Sequence, residues 1–289
     1  MIIGADRMAV IENIKLALSE GDFHRKTEIG DPDLTSAEQK YITDKYLNKR
    51  NSFLFKVKTF FMRIFVLIAT ELINSDTEIV GEIDREVLKN GAIITSNHFG
   101  PLENTAIRKA VKHFGGSRLF VVSQATNFAM KGFIGAIMNY ADTIPLSTNA
   151  KYFAGAFTSL LKEKISKKQN VLIYPEQEMW FNFKKPRPFK RGAYHFAAKF
   201  SVPVVSCFVE MIDTNKKDTD EFYKVKYRVH VLGVLYPDSN KNTKEASEEL
   251  CQRDYELKKG AYERIYKKKL NYSFEYSDIA GLVRNKNEG

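Results

Sequence analysis

The chain predicts an α/β fold: a largely parallel mixed sheet flanked by helices, with an N-terminal helical segment in front of it. Two observations carry this. From Glu78 onward, short apolar β-branched runs alternate with longer stretches of helical periodicity, the rhythm of βαβ units in a parallel sheet. The 289 residues, 44% of them apolar, suffice for one substantial core plus an appendage, and no internal repeat breaks the order.

The elements follow in chain order. Residues 8–50 read as helical, with Asp31-Pro32-Asp33 as a break and Thr35, Ser36 and Glu38 as the start signals of a second helix. The runs at 92–95, 119–122, 171–174 and 203–209 read as strands, and 102–113, 128–140 and 150–166 as the helices between them. Residues 225–236 alternate well enough to add a strand. Residues 242–268 read as an amphipathic helix with Leu250, Leu257 and Ile265 inward. From Ser277 to Gly289 the sequence reads as a loose tail. The expected division is a helical, membrane-surface segment over 1–75 and the α/β domain over 76–289.

Charge and composition narrow the partners. Forty-five basic against 35 acidic residues leave a net charge of +10, which favours an anionic partner such as a nucleic acid, a lipid headgroup or an acidic carrier. Nucleic acid ranks below lipid, because the chain has no zinc-finger spacing, no aromatic RNA-binding signature and no strong helix-turn-helix pattern. Cys207 and Cys251 stand in no metal-binding spacing and suit a reducing compartment. The five histidines, at 24, 98, 113, 195 and 230, form no His-x3-His pair, so no metal is expected. The opening residues Met1 to Asp6 show neither a positive leader nor a cleavage site, and the expected location is the cytoplasm, at the inner face of the cell membrane.

The segment from Phe53 to Ile73 gives the local argument for that membrane. Its apolar and aromatic residues are interrupted by Lys56, Lys58 and Arg63, and the longest unbroken stretch, Ile64 to Thr70, is too short to cross a bilayer. Such a helix fits the membrane surface, with its apolar face in the headgroup boundary and its bases on anionic lipid. The competing reading is a core helix with snorkelling lysines.

Chemistry concentrates in Asn97-His98-Phe99-Gly100-Pro101-Leu102-Glu103, where a strand-to-helix turn delivers a histidine and a carboxylate five residues apart. Histidine titrates near working pH, so it can take a proton from an alcohol and return it later. A carboxylate on its far nitrogen would fix the tautomer. No G-x-S-x-G is present and neither cysteine has a neighbouring histidine, so a covalent intermediate has little support. Amides exposed at this turn offer a candidate oxyanion site.

Asn97-His98-x4-Glu103 resembles the signature of the glycerolipid acyltransferase superfamily, the lysophosphatidic acid acyltransferases and their relatives. Three more blocks resemble the family in the family's order. Ile79-Val80-Gly81-Glu82 looks like the strand and glycine turn before the catalytic motif. Ile173-Tyr174-Pro175-Glu176 is similar to its Phe-Pro-Glu-Gly block, and Pro188-Phe189-Lys190-Arg191-Gly192-Ala193, followed by Val202-Pro203-Val204-Val205, resembles its Phe-Lys-x-Gly-Ala segment and apolar strand. The match spans about 77–236.

The resemblance implies an O-acyltransferase that moves a fatty acyl group from a thioester, on coenzyme A or an acyl-carrier protein, or from an acyl phosphate, to a lysolipid hydroxyl at an anionic membrane. No further cofactor is implied. His98 would be the general base and Glu103 its orienting acid. Asn97, Phe99, Gly100, Pro175, Glu176, Lys190, Arg191 and Gly192 would form the substrate site, with Pro175 and Glu176 walling the acceptor. Met130, Phe133, Gly135 and Ile137 fall where the family binds acyl chains, and a packed core helix would read the same way. The departures concern the acceptor: Glu103 replaces the usual aspartate, as in acyltransferases of the lipid A and mannoside type. Gln177-Glu178-Met179 replaces Gly-Thr-Arg, and Ile144-Pro145-Leu146-Ser147 lacks the family's arginine. Lys184, Lys185, Arg187, Lys190 and Arg191 are the replacement anion binders, or a solvated basic loop. A glycolipid acceptor and a catalytically silent lipid-binding protein remain as alternatives.

Overall fold

The computed structural model describes residues 6–283 except Asp31 and Ser117. Helix α1, Arg7–Ser19, starts where the Asp6 carboxylate accepts the amides of Met8 and Ala9, and buries Val10, Ile11, Ile14, Ala17 and Leu18 at helical spacing. That stripe packs on Trp180, Phe181, Phe183, Phe222 and Ile279. Residues 20–30 and 32–35 are not helical, so the helical reading of 8–50 is corrected in the extent of its break, which begins at Glu20 rather than at the expected Asp31-Pro32-Asp33, and Asp31 lies outside the described residues. Helix α2, Ser36–Lys49, begins at the expected signal, a capping box in which Thr35 and Glu38 satisfy each other's amides.

Helix α3, Phe53–Ile73, is turned inside out relative to a core helix. Its buried residues are Thr59 and Thr70, while Phe53, Leu54, Phe61, Ile64, Phe65, Ile68 and Leu72 are exposed. No helix among the described residues is long and apolar enough to cross a membrane.

Strand β1 (Glu78–Val80), helix α4 (Arg85–Asn90), strand β2 (Ile93–Thr95) and helix α5 (Glu103–His113) follow. Next come β3 (Leu119–Gln124), a 3-10 turn, α6 (Gly132–Tyr140) and β4 (Thr143–Leu146). A continuous helical stretch comprises α7 (Ala150–Tyr152), a π-turn and α8 (Thr158–Ser166). It leads to β5 (Asn170–Leu172), α9 (Gly192–Phe200), β6 (Val204–Lys217), β7 (Tyr223–Leu235) and α10 (Thr243–Tyr266). The seven strands order as β1-β7-β6-β2-β5-β3-β4, with every neighbouring pair parallel except β6 and β7. This is the largely parallel mixed sheet that the alternation predicts. The glycine turn after β1 is obligatory: Gly81 has φ +106°, and a Cβ there would stand 2.3 Å from the Val231 carbonyl oxygen.

Successive residues of β2 face opposite layers. Ile94 joins Phe99, Ile107 and Val205 on one side, and Ile93 joins Phe157, Leu161 and Phe196 on the other. Helix α6 departs from the packed-core expectation at Phe133, which is 59% exposed and lies edge-on to Phe65 of α3. Gly135 lets that helix close on its own entry, since a Cβ would meet the Met130 carbonyl oxygen at 1.9 Å. The tail is also corrected. Residues 277–283 are tied down by Asp278, which is buried against Lys185 at 2.7 Å, and by bridges from Phe183 to Ile279 and from Phe222 to Leu282, while 284–289 lie outside the described residues.

A fully buried ion pair fastens α10 to the sheet. Lys258 Nζ lies 2.6 Å from Asp254, and Asp254 also accepts hydrogen bonds from Thr95 of β2 at 2.6 Å, from Tyr194 of α9 at 2.5 Å and from Ser206 of β6. Burial by itself would raise the Asp254 pKa, but the Lys258 ammonium and these hydroxyls hold it below its ordinary value. Removing one partner leaves an uncompensated buried charge, so Asp254→Asn should cost about 3–5 kcal/mol in urea denaturation. Because the folded pKa is depressed, the carboxylate's contribution is complete above an unfolded value of about 3.9 and is lost as pH falls through the folded one. The stability gap between wild type and variant should therefore shrink on acidification below about pH 4.

Candidate active site

Strand β2 ends at Thr95, and the chain leaves the sheet at its C-terminal edge, where ligand sites of open α/β sheets gather. Asn97 keeps the departing chain zipped to β6: its side chain donates to the Val209 carbonyl at 3.0 Å and accepts the Val209 amide at 2.8 Å. The next residue, His98, is thereby turned out of the sheet.

Glu103, the first residue of α5, is 2% exposed. A buried carboxylate needs donors, and the turn supplies three. One oxygen accepts the Phe99 and Gly100 amides, the latter at 2.7 Å, and the other takes the hydrogen bond of His98 Nδ1. The start of a helix favours this negative charge further. Since a carboxylate only accepts, the proton is on Nδ1, and Nε2 keeps its lone pair. The imidazole side chain is 20% exposed, and no described residue bonds Nε2. Tyr174 stacks on the ring at 4.1 Å and 7°. Burial, then the Glu103 charge, holds the Tyr174 phenol well above its ordinary pKa, so it stays neutral there.

A second buried carboxylate grips the same turn. Glu176 accepts the His98 amide at 3.2 Å, the Arg187 amide at 3.2 Å and the Arg187 guanidinium at 3.0 Å. Arg187 lies over Trp180 at 4.4 Å and donates to the carbonyl of Phe23 at 2.9 Å and to that of Glu178. Residues 23–27 run across this network: His24 Nδ1 meets the Glu176 carbonyl at 3.3 Å, and Trp180 Nε1 donates to the Arg25 carbonyl at 2.9 Å. Burial holds the His24 pKa below its ordinary value, against the pull of that carbonyl.

The structure thus brings His98, Phe99, Gly100, Glu103 and Glu176 together, and the Asn97, Phe99 and Glu176 side chains are buried, those of Asn97 and Glu176 being bonded to protein groups. Pro175 is buried beside them, its carbonyl accepting the Lys190 amide at 2.8 Å, while the Lys190 side chain is exposed. Arg191 points elsewhere, pairing with Glu248 of α10 at 2.5 Å, and Gly192 opens α9 with open space where a Cβ would stand. Gly100 likewise has open space, so the turn uses its amide rather than its lack of a side chain.

Two expectations change. Lys184, Lys185 and Arg187 do not form a solvated basic loop: they pair with Asp213, Asp278 and Glu176. The amides of residues 98–100 are not free for an oxyanion, because the two carboxylates use all three. The residues missed were Tyr174 as a platform, Arg187 as the partner of Glu176, and His24. The flanking prolines of Arg187 were its one sequence signal of a fixed, enclosed position. Among the described residues, no group of three or more His, Cys, Asp or Glu side chains could hold a metal ion.

In Glu103→Gln, one carbonyl oxygen must replace two acceptors, leaving a buried donor unpaired at a cost of about 1–3 kcal/mol. Nitrogen-15 spectra of histidine-labelled protein should show His98 protonated on Nδ1 in the wild type and a mixture of tautomers in the variant. An unchanged tautomer would contradict the orienting role.

Residues 76–210 match the family model described as Acyltransferase. No curated protein matches the chain. Among similar solved structures is the crystal structure of the 1-acyl-sn-glycerophosphate (LPA) acyltransferase, PlsC, from Thermotoga maritima, which is 14% identical, with 92% of this chain and 98% of that chain covered and a TM-score of 0.49.

Proposed function

We propose, on the match of residues 76–210 to the Acyltransferase family model, that the chain transfers a fatty acyl group from a thioester to a lysolipid hydroxyl at a membrane surface. The observation that carries this reading is His98, held by a buried acid through Nδ1 with Nε2 open to the exterior. Nε2 takes the proton of the acceptor hydroxyl as its oxygen attacks the thioester carbonyl. The tetrahedral adduct collapses, the C–S bond breaks, and the imidazolium returns the proton to the departing thiolate. Glu103 stabilises the imidazolium between the two steps. Glu176 and Arg187 fix the backbone from which the ring projects.

The exposed apolar face of α3 supports a peripheral membrane location. Asn74, the C-cap of α3, donates to Thr105 of α5 at 2.8 Å, two residues from Glu103, so the C-terminal end of α3 is fastened to the dyad's helix. The acceptor is a lysophospholipid, such as lysophosphatidate, or a glycolipid. The second reading is favoured by the internal pairing of Lys184, Lys185 and Arg187, which leaves Lys190 as the exposed cation at the Pro175 turn.

With labelled acyl thioester and a panel of lysophosphatidate, other lysophospholipids and glycolipids, His98→Ala should lose roughly two to four decades of rate while its circular dichroism is unchanged. Transfer at the wild-type rate would remove His98 as the base, and no product from any donor would favour a silent lipid-binding protein. Phe61→Ser with Ile64→Ser should weaken co-sedimentation with neutral phosphatidylcholine vesicles at least about tenfold, since each buried side chain contributes roughly 1.5–3 kcal/mol.

A further inference from the structure

At the N-terminal ends of β3 and β4, away from the His98 end of the sheet, α2, α3, α6 and α8 enclose a cleft of about 210 Å³. Its wall carries six cations, Arg50, Lys56, Arg63, Arg118, Lys164 and Lys167, against two carboxylates, Asp142 and Glu163. Asp142 pairs with Arg63 at 3.3 Å and with Arg118, and Glu163 pairs with Arg50 at 2.6 Å, Lys164 at 3.1 Å and Lys167 at 2.9 Å. Each carboxylate is therefore shared by several cations, and a surplus of four positive charges faces one small space.

Two donors on α3 point to what that surplus is for. Thr59 Oγ1 is closed off from solvent and lacks a hydrogen-bond partner among the described residues, and Thr59 as a whole is 7% exposed; one helical turn on, Arg63 Nε is likewise closed off and faces Asp142 at 3.3 Å without the alignment of a hydrogen bond. Buried donors in folded proteins are nearly always satisfied, so the unpartnered Thr59 hydroxyl beside a surplus of cations calls for an acceptor from outside the chain. The acceptor must be small, anionic and rich in oxygen lone pairs. Phosphate has this chemistry, and guanidinium is its preferred fork.

We propose that this cleft is a second binding site, for a phosphate group, with Thr59 and Arg63 as its inner donors. The phosphate is carried either by the headgroup of an anionic phospholipid, which α3 would meet at a membrane, or by a soluble phosphate compound. The site is independent of the acyl-transfer reading, since its test measures binding and not turnover.

The test uses the full chain in two arms: calorimetric titration with inorganic pyrophosphate, and co-sedimentation with phosphatidylcholine vesicles with and without phosphatidylglycerol. Thr59→Val removes a hydroxyl that bonds nothing in the protein while keeping shape and charge, so the fold should stand. Arg63→Gln removes the charge, and Lys162→Gln removes an exposed lysine of α8 outside the cleft. Charge-assisted hydrogen bonds are worth about 1.5–3 kcal/mol, so Arg63→Gln should weaken binding about ten- to a hundredfold, with Thr59→Val weakening it several-fold and Lys162→Gln leaving it unchanged. Loss confined to phosphatidylglycerol vesicles would assign a lipid headgroup, and loss of pyrophosphate binding a soluble ligand. If Thr59→Val has no effect and Lys162→Gln weakens binding as much as Arg63→Gln, the attraction is general charge and the site is refuted. It is equally refuted if neither probe binds the wild type.

Discussion

A carboxylate removed from water at the first residue of α5 sets the shape of everything around the dyad. Leaving Glu103 buried and unpaired would cost several kilocalories per mole, so the chain between β2 and α5 must fold into a turn that aims donors inward. The Phe99 and Gly100 amides and one imidazole nitrogen meet that need together. The tautomer of His98 is thus a by-product of satisfying a buried charge. The side chain that turns the ring outward, Asn97, acts by the same logic: it takes the place of the strand bonds that β2 no longer makes with β6.

That turn is supported from below by two further buried charges. Glu176 with Arg187 holds the His98 amide, and Asp254 with Lys258 holds Thr95, three residues before His98. Buried pairs of this kind add little net stability relative to apolar packing, and their hydrogen bonds select one geometry over near neighbours. Three carboxylates, each with several donors, leave the chain from Thr95 to Glu103 few alternative arrangements. Helix α3 shows the opposite economy. It turns its threonines to the protein and its phenylalanines to the exterior, an arrangement favourable only where something other than water covers the apolar face.

The sheet was legible because its strands are buried on both faces and read as continuous apolar runs, and because Thr35 and Glu38 form a local capping signal that needs no tertiary partner. The pairing of His98 with Glu103 was legible for the same reason, being set within one turn. What the sequence hid depends on long-range contact. Arg187 sits in a run of bases that looks solvated, and only the fold brings Glu176, the Phe23 carbonyl and Trp180 to it. His24 and residues 277–283 have no periodicity of their own, and they are ordered by what they touch: the carbonyl of Glu176 in one case, Lys185 and Phe183 in the other. Helix α3 was ambiguous because an apolar stripe specifies that a face must be covered without specifying by what.

The departures from the resembled motif become physical at two positions. Gln177 adopts φ +67°, the left-handed conformation that the glycine of the Pro-Glu-Gly pattern enters freely and that costs a side-chain-bearing residue roughly 1–2 kcal/mol. The turn after Glu176 is held in this conformation, without a glycine, by the Arg187 bonds to Glu176 and Glu178. Glu103 is one methylene longer than aspartate, about 1.5 Å of added reach. From the first position of α5, that reach lets a single carboxylate curl back to the amides of residues 99 and 100 and still meet Nδ1 of residue 98. An aspartate on this backbone would fall short of one set of donors, and the turn would have to tighten by a comparable distance to recover it.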